Sequence, residues 1–417
     1  MFSRPKWALP LVALSALTIA SLGLTGCTPQ GDATAQTDVN TVGAELADAI
    51  DAAIGDALQL SGSTEAVVGV WRGDEAYVRG YGDGVTAATP IRAAQASQPV
   101  MCALLLELAA KGGFSLDRKV SEDLTRLPSI DDVTYGQLCD QTSGLADFKQ
   151  GYGTIFANNP ARTWAEQELI ANGLANSPLS WPGLDVHLSD TNAVLLDRAL
   201  RIRERVSTSE LLATQVFGPS GMSRTSYPDG FSAAKPQASG LTPMNYPLSG
   251  GAPVCETGPV EVASLSMSML RGAGASTTTV TDLKNFYTKY LSGGFGGERF
   301  ADVVTKTLPA KNPARDEAGA PTEELDTSGA QIGFGVEKVG PLFGRSGSIT
   351  GTLTAAYSDP ESGLTVVVAL NNSTAGQSFV RALALQLAAL AEPGLPWAAA
   401  DQAAALAGLA VCQPAAE

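Results

Sequence analysis

The sequence predicts an α+β fold in which strands from the two ends of the chain form one antiparallel sheet. Flanking helices cover that sheet, and a central helical subdomain fills the middle of the sequence. Three observations carry the expectation. Ala66 to Trp71 and Glu75 to Arg79 are β-rich runs joined by Arg72-Gly73-Asp74, a short connection that reads as a hairpin. Ile332 to Val336, Thr352 to Ser358 and Thr365 to Asn371 repeat the β pattern near the other end, with Asp359-Pro360-Glu361-Ser362-Gly363 as a turn. Between them the apolar spacing is helical.

Each helix has its own signal. Val42, Leu46, Ile50, Ile54 and Leu58 give Thr41 to Leu60 an amphipathic period. From Pro99 the stretch Ile91 to Asp117 becomes apolar on nearly every side, from Val100 to Ala110 with Glu107 the one charge. A helix of that kind belongs inside a domain, and Gly112-Gly113 ends it. Helical pieces follow at Thr134 to Cys139, Asn192 to Arg203, Thr208 to Val216, Thr279 to Leu291 and Gln377 to Ala391. Tyr227 to Gly258 and Lys306 to Ser328 are rich in turn residues and read as loops, and Trp397 to Ala410 is Ala-rich.

The first 27 residues read as targeting rather than fold. Arg4 and Lys6 precede an apolar run from Trp7 to Leu24, and Leu24-Thr25-Gly26-Cys27 is a small-residue cleavage site. The pattern resembles a bacterial lipoprotein signal with Cys27 as the lipidated residue. An exported protein held on the extracytoplasmic face of the cell membrane is therefore expected. Residues 28–40 are polar and aperiodic and read as a tether. The expected organisation is then signal 1–27, tether 28–40, a folded domain 41–395 with its helical subdomain at roughly 95–290, and an Ala-rich extension 396–417.

A net charge of −15, more negative still without Arg4 and Lys6, builds no basic surface and argues against nucleic acid as a partner. Four cysteines remain beyond Cys27: Cys102, Cys139, Cys255 and Cys412. Export favours pairing them, and three connectivities are open. Their wide spacing and the single histidine, His187, argue against a metal site, and no cofactor is implied.

Several short motifs in fixed order resemble one family: Val78-Arg79-Gly80-Tyr81-Gly82, Gly113-Phe114-Ser115-Leu116-Asp117, Leu138-Cys139-Asp140-Gln141-Thr142-Ser143-Gly144-Leu145, Pro219-Ser220-Gly221-Met222, and Gly274-Ala275-Ser276-Thr277 before Asp282-Leu283. Together they resemble the serine β-lactamase and penicillin-binding protein superfamily, in the branch of class C β-lactamases and D-alanyl-D-alanine carboxypeptidases. The resemblance implies a β-lactamase/transpeptidase-like fold. It also places Cys102 beside Cys139, and leaves Cys255 to hold Cys412 of the extension.

The chemistry of that family needs a serine at a helix start, a lysine one turn later to take its proton, and a second proton shuttle. The resemblance places Gln95 where the serine stands and Gln98 where the lysine stands. An amide is neither nucleophile nor base. Where the family has Tyr-x-Asn, this chain has Leu188-Ser189-Asp190, so the phenol is lost as well. The third motif survives in altered form as Arg345-Ser346-Gly347, whose arginine can still bind a carboxylate in two-pronged fashion. Ser-x-x-Lys occurs elsewhere only at Ser3–Lys6, inside the signal, and at Ser232–Lys235, where Pro236 disfavours a helix.

Removing one member of such a catalytic unit costs on the order of 10⁶ in turnover in a well-characterised serine protease. The expectation is a degenerate, non-catalytic member that binds a peptidoglycan stem peptide or another small carboxylate, or serves a regulatory role. The alternative is an active serine hydrolase (β-lactamase, carboxypeptidase or esterase) with an unconventional nucleophile such as Ser97.

Overall fold

The computed structural model describes residues 38–231, 240–309 and 331–413. The signal with Cys27, most of the tether, Ser232–Lys235 and most of the 306–328 loop lie outside the described residues. The main sheet is built from β1 (Val39–Asn40), β2 (Ala66–Arg72), β3 (Glu75–Tyr81), β4 (Leu308–Pro309), β5 (Gln331–Ile332), β6 (Glu337–Val339), β7 (Leu342–Ile349), β8 (Thr352–Ser358) and β9 (Thr365–Leu370). They stand side by side in the order β1-β3-β2-β9-β8-β7-β6-β5-β4, every pair antiparallel. The two ends of the chain meet at β2 and β9, where Ala66 faces Leu370 and Val68 faces Val368.

Both faces of the sheet are covered, which is why β8 and β9 are buried along their whole length. On one face lie α1 (Ala44–Ser61) and a long helix near the other end (Gln377–Ala391), with Ile50, Ile54, Phe379 and Leu383 packed on Val68, Leu353 and Val366. The Ala-rich extension forms a further helix, Ala399–Gly408, against both. On the other face lie α2 (Pro99–Ala110), α3 (Tyr135–Cys139), α4 (Glu166–Ala175), α5 (Asp190–Glu204) and α6 (Val280–Leu291), around a second apolar cluster. All the described residues belong to one unit. Among them no helix is long and apolar enough to cross a membrane.

Most element boundaries agree with the pattern in the sequence, and two do not. The run Ile332 to Val336 is not one strand. Gly335 takes a left-handed φ of +78° and turns the chain between β5 and β6. The helix expected from Thr208 to Val216 is regular only to Leu212 and widens over 213–217 before Gly218-Pro219. Two disulfides are present, Cys102–Cys139 and Cys255–Cys412, with Cα atoms 5.8 and 5.2 Å apart. The first joins α2 to α3, and the second ties the chain beyond the Ala399–Gly408 helix to the loop region around residue 255.

Candidate functional site

The site forms where a tight turn, Ala94–Ser97, leads into α2 and lies against the inner edge of β7. Strand β6 pairs β7 only from Leu342 to Gly344, so from Arg345 onward that edge faces the turn instead of a strand. The approach is very close. A Cβ at Gly347 would come within 2.3 Å of the Gln95 backbone nitrogen, and one at Gly274 within 2.4 Å of the Ala94 carbonyl carbon. Only glycine fits either place. Ala94 itself is held at a left-handed φ of +44°, a strain that residues usually keep only where the surroundings enforce it. Tyr287 of α6 helps to enforce it by donating its hydroxyl to the Ala96 carbonyl at 2.9 Å. Pro99 then starts α2 at the one position where its missing N–H costs nothing.

Five side chains converge here. Gln95, Gln98, Asp190 and Arg345 are each 5% exposed or less, and Lys149 reaches in from the segment after Leu145. Gln95 Nε2 donates to Asp190 Oδ2 at 2.7 Å, and Gln98 Nε2 donates to Asp190 Oδ1 at 3.1 Å. A carboxylate only accepts, so both amide nitrogens must face it and both amide oxygens must face away. Those oxygens have partners as well. Gln95 Oε1 accepts the Ser348 backbone N–H at 2.9 Å, and Gln98 Oε1 accepts from the Arg345 guanidinium. Lys149 Nζ completes the set, 2.7 Å from Asp190 Oδ2 and 3.6 Å from Asp147 Oδ2.

The electrostatics follow from this arrangement. Burial pushes the Asp190 carboxyl up, but Lys149, the Gln95 hydrogen bond and Arg345 together hold it below the ordinary range. Its place as the first residue of α5, at the positive end of the helix dipole, acts in the same direction. Burial opposes charge on Lys149 too, yet Asp190 and Asp147 on either side of it raise its pKa. Asp147 is left with burial and the Asp190 charge against it, and its pKa is raised.

Asp190 is aimed by its neighbours. Gln141, with a left-handed φ of +65°, accepts the Ser189 N–H at 3.0 Å and the Asn192 Nδ2 at 2.9 Å through its side-chain oxygen. Ser143 bonds Asn192 Oδ1 at 2.5 Å. The Gln141-Thr142-Ser143-Gly144 segment therefore fixes the first turn of α5.

Of the residues singled out from the sequence, Gln95, Gln98, Asp190 and Arg345 come together. Gly347 supplies the close approach, and the fully buried Ser346 is held by Gln377, whose Nε2 donates to its carbonyl at 2.8 Å. Leu188 points outward and is 49% exposed. Ser97 is 2% exposed, and its hydroxyl donates to the Ala94 carbonyl at 3.0 Å. Sequence reasoning missed Lys149, Asp147 and the Ser348 amide. One signal was there to find: Lys149 is the sole lysine between Lys119 and Lys235.

A cavity of ≈ 370 Å³ opens beside this network, with Lys149, Ser348, Thr350, Asn245 and Thr374 in its wall. Its lining mixes those polar groups with Phe156, Met269 and Leu270. Among the described residues no group of three His, Cys, Asp or Glu side chains could hold a metal ion.

An antiparallel sheet between two helical layers, with a helix start pressed against the sheet, is the architecture of the β-lactamase-like serine hydrolase fold. Residues 50–391 match the family described as Beta-lactamase, and the chain belongs to that family. Solved structures with the same fold include a D-stereospecific amidohydrolase from Streptomyces sp., 22% identical over 78% of this chain and 93% of that one, with a TM-score of 0.64. The D-amino acid amidase from Ochrobactrum anthropi SV3 complexed with D-phenylalanine is 19% identical over 79% and 92%, with a TM-score of 0.64. The octameric penicillin-binding protein homologue from Pyrococcus abyssi is 19% identical over 84% and 79%, with a TM-score of 0.65.

Proposed function

We propose that this chain is a non-catalytic member of its family: an exported lipoprotein, anchored through Cys27, that binds a small carboxylate ligand without cleaving it. A peptidoglycan stem peptide is the ligand class the reading favours. The observation that carries it is the double engagement of Gln95. Acyl transfer needs backbone N–H donors free to receive a developing oxyanion. Here the Ser348 N–H is occupied by the Gln95 amide oxygen, and no hydroxyl in the network is paired with a base.

Ser97 is poorly suited to replace the missing nucleophile. It is buried, and its one hydrogen-bond partner among the described residues is a carbonyl, which cannot take its proton. Carboxylate recognition falls to Lys149 at the cavity wall, which a ligand carboxylate would share with Asp190 and Asp147, with Arg345 as the charge behind it. The D-phenylalanine bound to the Ochrobactrum amidase supports testing peptides that end in a D-amino acid, with D-alanine as the first choice.

The test combines labelling with binding. Fluorescent penicillin and a fluorophosphonate, read by intact mass, are expected to leave no adduct on the wild type. A peptide ending in D-Ala-D-Ala is expected to stabilise it, by about 2.7 kcal/mol at a hundredfold excess over Kd. A covalent adduct on the wild type that vanishes in Ser97→Ala would establish the hydrolase instead.

A further inference from the structure

A second polar cavity lies away from the Gln95 network, on the side of α5 toward α4. Its volume is ≈ 540 Å³, and its wall includes Glu166, Asp197, Arg198, Arg201, Tyr227 and Arg271. Three arginines around one cavity are unexpected in a chain of net charge −15. Two of them are accounted for. Glu166, 5% exposed, accepts from Arg198 and from Arg201, the latter at 2.8 and 2.9 Å. That pairing ties α4 to α5.

Arg271 is different. No carboxylate among the described residues lies within ion-pair distance of its guanidinium. One nitrogen donates to the Trp164 carbonyl at 3.1 Å, while its buried Nε has no partner among the described residues. The group lies 4.3 Å over the Phe231 ring, so it is oriented although unpaired. Its backbone is held at a left-handed φ of +44°, which an arginine keeps only where the surroundings impose it. Asp197 is engaged by other partners. Burial raises the pKa of its carboxyl, and it accepts hydrogen bonds from the neutral hydroxyls of Thr208 and Tyr227. The cavity therefore holds three guanidinium groups against the Glu166 and Asp229 carboxylates and the buried Asp197, and the donors left over are those of Arg271.

We propose that this cavity is a binding site for a small anion, a carboxylate or phosphate group, received by the Arg271 guanidinium with Arg201 beside it. A planar guanidinium matches the paired oxygens of either group. Nothing in this assignment depends on whether the Gln95 network is catalytic.

Isothermal titration of the folded chain with inorganic phosphate, and separately with acetate, at constant ionic strength tests it. At least one anion is expected to bind saturably. Arg271→Gln should weaken that binding by about tenfold or more. Arg271→Lys, which keeps the charge without the fork, should weaken it less. Arg126→Gln removes one exposed positive charge elsewhere and should leave it unchanged. Arg201→Gln provides a second variant of the same cavity should Arg271→Gln fail to fold. Absence of saturable binding by both anions, or equal binding in wild type, Arg271→Gln and Arg201→Gln, would overturn the proposal.

Discussion

Asp190 and Asp197 sit two turns apart on the same side of α5, both buried, and their environments push them in opposite directions. Burial raises the pKa of each. At Asp190 the opposing groups are charged, with Lys149 in contact and Arg345 behind Gln98, and the carboxylate form wins. At Asp197 the hydrogen-bond partners are neutral, Thr208 and Tyr227, while Glu166 adds repulsion against a weaker pull from Arg201, and burial wins. One helix thus carries a firmly ionised acid at its start and a reluctant one further along. The lesson is that burial alone does not set the charge of an acid; the nature of its nearest partner does.

The largest expected effect breaks the first environment. Lys149→Met keeps the packing of the stem but leaves Asp190 without its contacting ammonium. Unfolding in urea should show a loss of about 2–3 kcal/mol, below the full range for an orphaned buried charge because Arg345 and two amides remain. Asp190→Asn should cost about 1–3 kcal/mol at neutral pH, since a carboxamide cannot accept from Gln95, Gln98 and Lys149 together.

Asp197→Asn sharpens the contrast through pH. The Asp190 pKa is lowered by folding, so its contribution is present above the ordinary carboxylate value and is lost as pH falls through the lower folded value. The Asp197 pKa is raised, so its contribution is largest below the ordinary value and is lost as pH rises through the folded value. Asp190→Asn should therefore be more damaging at pH 7 than in acid, and Asp197→Asn more damaging in acid than at pH 7. Urea midpoints of both variants across that range check the crossing. Asp147 shares the sign of Asp197 and offsets part of the acid response of the wild type, so only the variant-minus-wild-type difference is diagnostic. The smallest effect is that of Tyr227→Phe, which removes one donor from Asp197 and should cost about 1 kcal/mol. The Asp197 carboxyl, followed by NMR, should move further up.

Much of the fold was legible because periodicity and turn chemistry agree locally. The Gln377–Ala391 helix and the β2–β3 hairpin show that agreement, whereas the two cysteine pairs followed only from the family resemblance. Gln95, Gln98 and Asp190 were legible only by their place among motifs, since nothing in a glutamine announces that it binds a carboxylate 92 positions away. Lys149 stayed hidden because its role depends on the path of the chain after Gly144. Arg271 was passed over because neither its strained backbone nor its missing counter-ion is written in local sequence.

The pairing of β2 with β9 bears on how the molecule comes to exist. The two strands at the heart of the sheet are about 300 residues apart, and contacts that distant form slowly because a long loop must close first. Until Thr365–Leu370 arrives, the flank of Ala66–Arg72 carries unpaired peptide groups that invite a stranger's strand. That interval, between the making of the two strands, is when a chaperone would matter most.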